Sequence, residues 1–164
     1  MKRIALLVAL TAISLIAYCQ PRALGLRLGT ALEVSYQHGL HSGNMLSVDA
    51  GLCHVNGIEA AITHDWVNPG GADFSKVWSG RGTWNWYAGV GGALGFYWPY
   101  NDYASGFFIG VAGRIGVEYN FWFPLQLSID YRPVIGGNFT NSNAAFYNYG
   151  LYSGAIALGV RYHF

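Results

Sequence analysis

The chain has 164 residues, enough for a single domain, and 52% of them are hydrophobic while only 10% are charged. Soluble domains carry roughly 25% charged residues, so this chain has too little charge to cover a surface that faces water on every side. An apolar environment must therefore surround part of it. The formal net charge of +1 offers no electrostatic attraction for nucleic acid, and we expect no nucleic-acid partner.

The N-terminal segment has the three parts of a secretory signal peptide. Residues 1–3 carry two positive charges, residues 4–16 form an apolar run, and residues 17–19 contain small side chains at the positions that a signal peptidase reads. We predict that residues 1–19 are removed by cleavage before Gln20 and that residues 20–164 form the exported domain. A retained anchor is the weaker alternative, because a transmembrane helix needs about 20 apolar residues.

Two cysteines bear on how the chain is processed. Cys19 follows the apolar run, so a lipoprotein with a lipidated Cys19 is a second alternative. Tyr18 argues against it, since the residue before a lipidated cysteine is normally small. Cleavage before Gln20 leaves Cys53 as the single mature cysteine and excludes an internal disulfide.

The N-terminal half contains four short runs of alternating apolar and polar residues. They predict strands at residues 23–29, 31–37, 45–53 and 58–66, with turns at residues 38–43 and 55–57. One face of these strands is apolar: Leu24, Leu26, Leu28, Leu32, Val34, Leu46, Val48, Leu52, Ile58 and Ile62. The least certain boundary between two predicted strands is the turn at Gly29 and Thr30. A continuous strand there would leave seven strands, an odd count that is disfavoured in single-chain membrane barrels.

The C-terminal half alternates more regularly. Residues 84–96, 107–119, 125–132 and 152–164 place large apolar side chains on one face and small or polar side chains on the other. About ten such residues suffice for a tilted strand to cross an apolar band of roughly 25 Å. No run of 18 apolar residues follows residue 20, which excludes a helical membrane protein if the signal peptide is removed. The sequence predicts an all-β fold, an eight-stranded antiparallel up-and-down transmembrane β-barrel, with long loops at residues 67–83 and 135–148 and a shorter one at 99–105.

Aromatic residues gather at both ends of the predicted strands. One group lies at the strand ends that share one side of the barrel with residue 164: Trp84, Trp86, Tyr119, Trp122, Phe123, Tyr162 and Phe164. The other group lies at the opposite ends: Phe96, Trp98, Tyr100, Tyr103, Phe107 and Tyr152. Amphipathic rings concentrate at the two boundaries of a membrane, so this pattern indicates two aromatic belts.

The last strand and three other stretches support a family resemblance. Residues 159–164 end in phenylalanine with aromatic residues at alternate positions, and residues 31–38, 85–91 and 124–133 also contribute. The chain resembles the small outer-membrane β-barrels of diderm (Gram-negative) bacteria, the OmpA-barrel-like or porin-like families. The resemblance implies contact with outer-membrane lipids. It also implies recognition by the barrel-assembly machinery through a C-terminal signal formed by Val160, Tyr162 and Phe164. It implies fold and location but no activity, and we expect a monomer.

Most of the charged residues fall on the predicted inward face. The set comprises Arg27, Glu33, Asp49, Glu59, Asp65, Arg114, Glu118, Asp130, Arg132 and Arg161. The interior of an eight-stranded barrel is just wide enough for side chains to fill it. We therefore predict that opposite charges pair there and plug the lumen, as a structural network in preference to a conducting pathway or a ligand site.

No catalytic, metal or cofactor site emerges from the sequence. His64 and Asp65, like His41 and Ser42, are adjacent on the chain and would point to opposite sides of a strand, so no Ser/His/acid set shares a face. The five histidines are scattered and the single mature cysteine has no partner for a metal. The glycines of residues 89–95 lack the spacing of a dinucleotide loop and open no helix. We expect no enzyme and no cofactor.

The leading functional hypothesis is a barrel with a structural role in the cell envelope or a role in surface interactions. A small porin, or a barrel that transports or binds apolar solutes, is the alternative and requires a continuous lumen or a lateral opening. An enzyme that modifies lipids is the least favoured. If the C-terminus lies in the periplasm, residues 135–148 and 99–105 are external, and residues 67–83 form an unusually long periplasmic connection.

Overall fold

Ten strands form one antiparallel sheet that closes on itself. The computed structural model describes residues 22–40, 43–53, 56–71, 81–98, 105–140, 143–148, 151 and 155–164. The strands are β1 (Arg22–Leu28), β2 (Ala31–Leu40), β3 (Asn44–Cys53), β4 (Gly57–Val67), β5 (Thr83–Tyr97), β6 (Gly106–Asn120), β7 (Leu125–Tyr131), β8 (Val134–Thr140), β9 (Ala144–Tyr147) and β10 (Ile156–His163). Consecutive strands pair from β1 to β6, β6 pairs with both β7 and β8, and β10 pairs with both β7 and β1.

The ten segments make eight barrel strands. β7 and β8 form the seventh barrel strand in one register, since Ile115 of β6 pairs with Tyr131 and Ala112 pairs with Val134. Pro133 interrupts it because proline has no backbone N–H, although its carbonyl accepts a hydrogen bond from the Gly113 N–H at 3.0 Å. The predicted closed barrel of eight antiparallel strands is confirmed.

The eighth barrel strand consists of β9 and β10 and contains an insertion. Tyr131 pairs with Ile156 and Gly136 pairs with Tyr147. Five residues along the seventh strand (136 − 131) thus correspond to nine along the eighth (156 − 147), so four extra residues enter between β9 and β10. We call the end of the barrel where Arg22 and His163 lie the terminal end, and the end where β8 turns into β9 the loop end.

The predicted loop at residues 135–148 is wrong. Residues 135–140 and 144–147 belong to strands β8 and β9, which pair with each other. Gly136, Gly137 and Asn138 break the apolar alternation that signals a strand, but the long partner β6 supplies the backbone ladder that local propensity does not. A Cβ at Gly136 would overlap the carbonyl of Ile109, so glycine is needed for this close approach of the two strands.

The remaining differences from the predicted boundaries are smaller. β2 continues to Leu40, so the predicted turn at residues 38–43 begins too early. The uncertain turn between β1 and β2 is present, with the Gly29 N–H donating to the Ala31 carbonyl at 3.0 Å. The predicted signal peptide, most of the connections at residues 67–83 and 99–105, and Tyr152 lie outside the described residues.

The barrel wall separates apolar from polar side chains. Of the ten outward positions predicted in the N-terminal half, Leu46 is half-buried and the other nine are between 36% and 56% exposed. Large apolar side chains are likewise exposed on every later strand. Within the described ranges, no helix has both the length and the apolar character needed to cross a membrane.

Two adjacent glycines of β5 test how tightly the wall is packed. Gly91 is on the inward side, and a Cβ there would overlap the carbonyl oxygen of Ile62; at Gly92 the nearest atom would be 3.7 Å away. We expect Gly91→Ala to lower the free energy of unfolding by about 1–3 kcal/mol through overpacking. Gly92→Ala should change it by less than about 0.5 kcal/mol. Urea titrations of the two refolded variants in detergent, followed by heat-modifiable gel migration, measure both changes in the free energy of unfolding. Equal destabilisation by Gly91→Ala and Gly92→Ala would contradict the observed packing.

Candidate functional site

The lumen is the candidate site because it gathers the charged residues. All ten sequence-predicted residues point into it. The residues exposed by 5% or less are Arg27, Glu33, Asp49, Asp65, Arg114, Glu118, Asp130, Arg132 and Arg161. Glu59 is closer to the loop end, and its side chain is 8% exposed.

Arg27 of β1 joins two acids that lie on strands to either side of it. Its Nε and Nη2 donate to Oδ1 of Asp130 at 2.9 and 2.7 Å, and its Nη1 donates to Glu33. A guanidinium that meets two carboxylates through several N–H groups is held in one orientation. Arg27 therefore connects β1 with its neighbour β2 on one side and, past β10, with β7 on the other.

Arg114 of β6 is buried in the lumen with no exposed side-chain surface. It donates to Asp49 at 3.2 Å and to Asp130 at 3.1 Å, and its Nη1 lies 3.8 Å from Oδ2 of Asp65. The guanidinium carbon also lies 5.4 Å from the centre of the Tyr87 ring, a distance at which a cation is attracted to an aromatic face. The Tyr87 hydroxyl donates to Asp130 at 3.4 Å.

Arg132, between β7 and β8, completes the arrangement. It donates to Asp49 at 2.9 Å, to Glu59 at 3.1 Å and to Glu33. Six residues thus form a closed ring of alternating charge, in the order Arg27, Glu33, Arg132, Asp49, Arg114, Asp130 and back to Arg27. We call it the charge ring. Each member touches two partners of opposite sign, which satisfies buried charges far better than isolated pairs do.

Arg161 and Glu118 lie in the lumen but differ from the predicted pattern. Arg161 donates to Ser35 at 2.9 Å, Ser128 at 2.7 Å and Gln126 at 3.4 Å. Neither residue forms an ion pair within the described part of the chain. The prediction that the lumen charges pair is wrong for these two, because β2 and β7 place neutral side chains around Arg161 and neutral amides surround Glu118.

Asp65 is held mainly by hydroxyl groups. It accepts hydrogen bonds from Ser47 at 2.6 Å and Thr63 at 3.2 Å. His64 precedes it on β4 and its ring lies 5.2 Å from that of Trp66, which is 43% exposed on the outer wall. His64 and Asp65 therefore face opposite sides of the barrel. His41 and Ser42 lie outside the described residues.

An apolar cluster fills the lumen between the charge ring and the loop end. Its members are Ala61, Ala93, Phe108, Ala112 and Val134, with Tyr147 packed against them. The rings of Phe108 and Tyr147 stack with centres 4.4 Å apart. We call this cluster the apolar plug. The apolar plug was not predicted, although alternation along residues 107–119 places Phe108 on the inward face and indicates an apolar side chain in the lumen.

Little space remains where the apolar plug meets the charge ring. A void of about 10 Å³ lies there, bordered by Arg27, Glu59, Phe108 and Arg132. This volume holds roughly one water molecule. The charge ring and the apolar plug thus pack closely against each other inside the barrel.

The lumen widens at the terminal end. A cavity of about 380 Å³ is bordered there by apolar residues, which form the larger part of its lining, and by the polar side chains of Gln37, Asn85, Glu118, Asn120 and Gln126. We call it the terminal vestibule. Within the described residues, no group of three histidine, cysteine or acidic side chains could hold a metal ion in this cavity or elsewhere.

The predicted assembly signal lies on the outer wall of β10 and at the chain end. Val160, Tyr162 and Phe164 are 42%, 58% and 61% exposed, and the last two rings stack with centres 6.4 Å apart. All three are therefore accessible from outside the barrel.

Neither a family model, nor a curated protein, nor a solved structure matches this chain. The likeness to small outer-membrane barrels therefore stays a prediction from the sequence pattern.

The charge ring predicts unequal effects of two carboxylate replacements. Asp130→Asn removes the negative charge that both Arg27 and Arg114 contact, and we expect it to lower the free energy of unfolding by about 3–5 kcal/mol. Glu59→Gln should cost about 1 kcal/mol, because Arg132 keeps Glu33 and Asp49. Urea unfolding in detergent, monitored by tryptophan fluorescence, compares the two variants. If Asp130→Asn lowers the free energy of unfolding by no more than Glu59→Gln does, Asp130 does not have the central place in the charge ring.

Proposed function

We propose that this chain is an integral outer-membrane β-barrel of a Gram-negative bacterium, with a structural or surface-contact role in the cell envelope and a closed lumen. One observation carries the proposal. Charged residues are buried inside the barrel while large leucine, isoleucine, valine and aromatic side chains are exposed on every strand of its outer wall. A water-soluble protein has the reverse distribution, and a continuous apolar exterior of this extent indicates a membrane surface.

Two aromatic belts support the membrane location. At the terminal end the Trp84 and Tyr119 rings lie 4.8 Å apart and Trp122 is 69% exposed. At the loop end the Phe107 ring stacks on Phe139 at 5.0 Å and lies 6.0 Å from Phe96. Such belts mark the two boundaries of the apolar band in membrane barrels. The predicted belt residues Tyr100, Tyr103 and Tyr152 lie outside the described residues.

The orientation follows from the chain ends. Both termini of a bacterial membrane barrel normally lie in the periplasm, so the terminal end faces the periplasm and the loop end faces outward. The β8–β9 hairpin then points away from the cell with Phe146 72% exposed. This hairpin is a described part of the loop end that is available for contact with partners. We propose a monomer that acts without catalysis, exported through the signal peptide at residues 1–19 and assembled through its C-terminal strand.

The membrane location predicts opposite outcomes for two new arginines. Ile62 lies midway along β4 and is 50% exposed on the outer wall, so Ile62→Arg should destabilise the barrel by about 2–4 kcal/mol in phospholipid vesicles. Asn143→Arg, in the exposed connection between β8 and β9, is the matched control and should have little effect. Urea unfolding in vesicles measures both. If Ile62→Arg is as stable as the control, or the processed chain stays dissolved without detergent, the wall does not face lipid.

The closed lumen predicts that the purified protein conducts poorly. In planar bilayers we expect no stable single-channel openings, because the charge ring and the apolar plug occupy the path. A general porin inserted under the same conditions serves as the positive control. Large, long-lived openings would favour the porin alternative over the structural role, and they would not contradict the membrane location.

A further inference from the structure

The charge ring is electrically neutral before Glu59 is counted. Its six members are three guanidinium groups and three carboxylates: Arg27, Arg114, Arg132, Glu33, Asp49 and Asp130. Glu59 joins the ring from the side, through a hydrogen bond of 3.1 Å from Nη2 of Arg132. The same nitrogen also donates to Glu33. Glu59 therefore shares an arginine whose charge other carboxylates already balance.

The sequence supplies no further lysine or arginine at Glu59's end of the lumen. After residue 20 these residues are Arg22, Arg27, Lys76, Arg81, Arg114, Arg132 and Arg161. Three belong to the charge ring, and the other four belong to strands or connections toward the terminal end, on the far side of the ring from Glu59. The loop-end connections contain one basic residue, His54, which like Lys76 is outside the described residues.

Glu59 lies where the charge ring meets the apolar plug, on the border of the void of about 10 Å³. Its side chain is 8% exposed. Among the described residues that line this void with it, Arg27 of β1 and Arg132 before β8 are the charged ones, and Glu33 of β2 contacts both. The sides that β5, β6 and β10 form are apolar. A carboxylate buried in such surroundings without a cation of its own is costly, and a bound proton removes the cost.

We infer that Glu59 carries a proton at neutral pH and forms a pH-sensitive contact between the charge ring and the apolar plug. The neutral carboxyl group keeps its hydrogen bond from Arg132 and adds no negative charge beside Glu33. Loss of the proton adds that charge and draws water into the void, which weakens the packing of the plug on the ring. The inference requires the closed barrel and its charge ring alone, and it does not depend on the membrane location.

Infrared spectroscopy detects this proton directly, because a protonated carboxyl group has a C=O stretching band separate from the bands of carboxylates. Spectra of the full chain, refolded in detergent, are recorded at pH about 7, where an ordinary glutamate is ionised. We expect a protonated-carboxyl band in the wild type that is absent from Glu59→Gln. Asp65→Asn is the matched control, a carboxylate-to-amide replacement on the same strand, and it should keep the band.

The same proton makes stability depend on pH. A glutamate in the unfolded chain has a pKa of about 4.3, so above that pH the wild type takes up a proton on folding that Glu59→Gln does not. The wild type must therefore lose stability relative to Glu59→Gln as pH rises. Between pH about 5 and about 9 we expect the unfolding constant of the wild type, divided by that of Glu59→Gln, to rise at least tenfold in urea titrations. His54→Gln should follow the wild type.

The inference is wrong if the wild type shows no protonated-carboxyl band at pH about 7, if folded Glu59→Gln keeps the band, or if the ratio of unfolding constants does not change with pH. A pH dependence that His54→Gln removes would belong to His54 and would contradict it as well. If Glu59→Gln fails to fold, Glu59→Asp, which keeps the carboxyl group, should shift the frequency of the band. An unshifted band in folded Glu59→Asp would overturn the assignment.

Discussion

The charge ring is the interaction on which the rest of this structure depends. Its six members come from β1, β2, β3, β6, β7 and the junction before β8, so it connects strands on opposite sides of the barrel across the lumen. Each guanidinium lies between carboxylates and each carboxylate lies between guanidinium groups. Because the ring is closed, loss of one member leaves two buried charges partly uncompensated, which is the most costly defect in such a network.

The large side chains inside the lumen fit because the wall around them contains small residues. A Cβ at Gly116 would lie 2.6 Å from the Tyr87 ring, and one at Gly159 would lie 2.6 Å from Nη1 of Arg161. Close packing of this kind fixes the rotamers of the buried arginines. The many glycines of the chain thus serve the lumen as much as the curvature of the wall.

The two halves of the lumen differ in how they are filled. Toward the loop end, Phe108 and Tyr147 stack within the apolar plug, and a void of only about 10 Å³ lies where the plug meets the charge ring. Toward the terminal end lies the terminal vestibule of about 380 Å³, where the buried Glu118 carboxylate accepts hydrogen bonds from three neutral amides.

Alternation along the chain was enough to predict most of the wall. A strand has a period of two, so the position of one apolar residue such as Leu127 or Leu158 determines which side its neighbours face, whatever the partner strand is. The same local rule failed at Gly136, Gly137 and Asn138, where no alternation is visible and pairing with β6 decides the conformation.

The sequence by itself determined that the lumen would be charged and the exterior apolar, because these properties depend only on which residues share a face. Only the tertiary structure decided which charges meet. Arg27 and Asp130 are 103 residues apart in the chain and come together because the stagger of the closed barrel sets their heights in the lumen. The same stagger places Glu118 among amides and Arg161 among hydroxyl groups, and no local pattern encodes it.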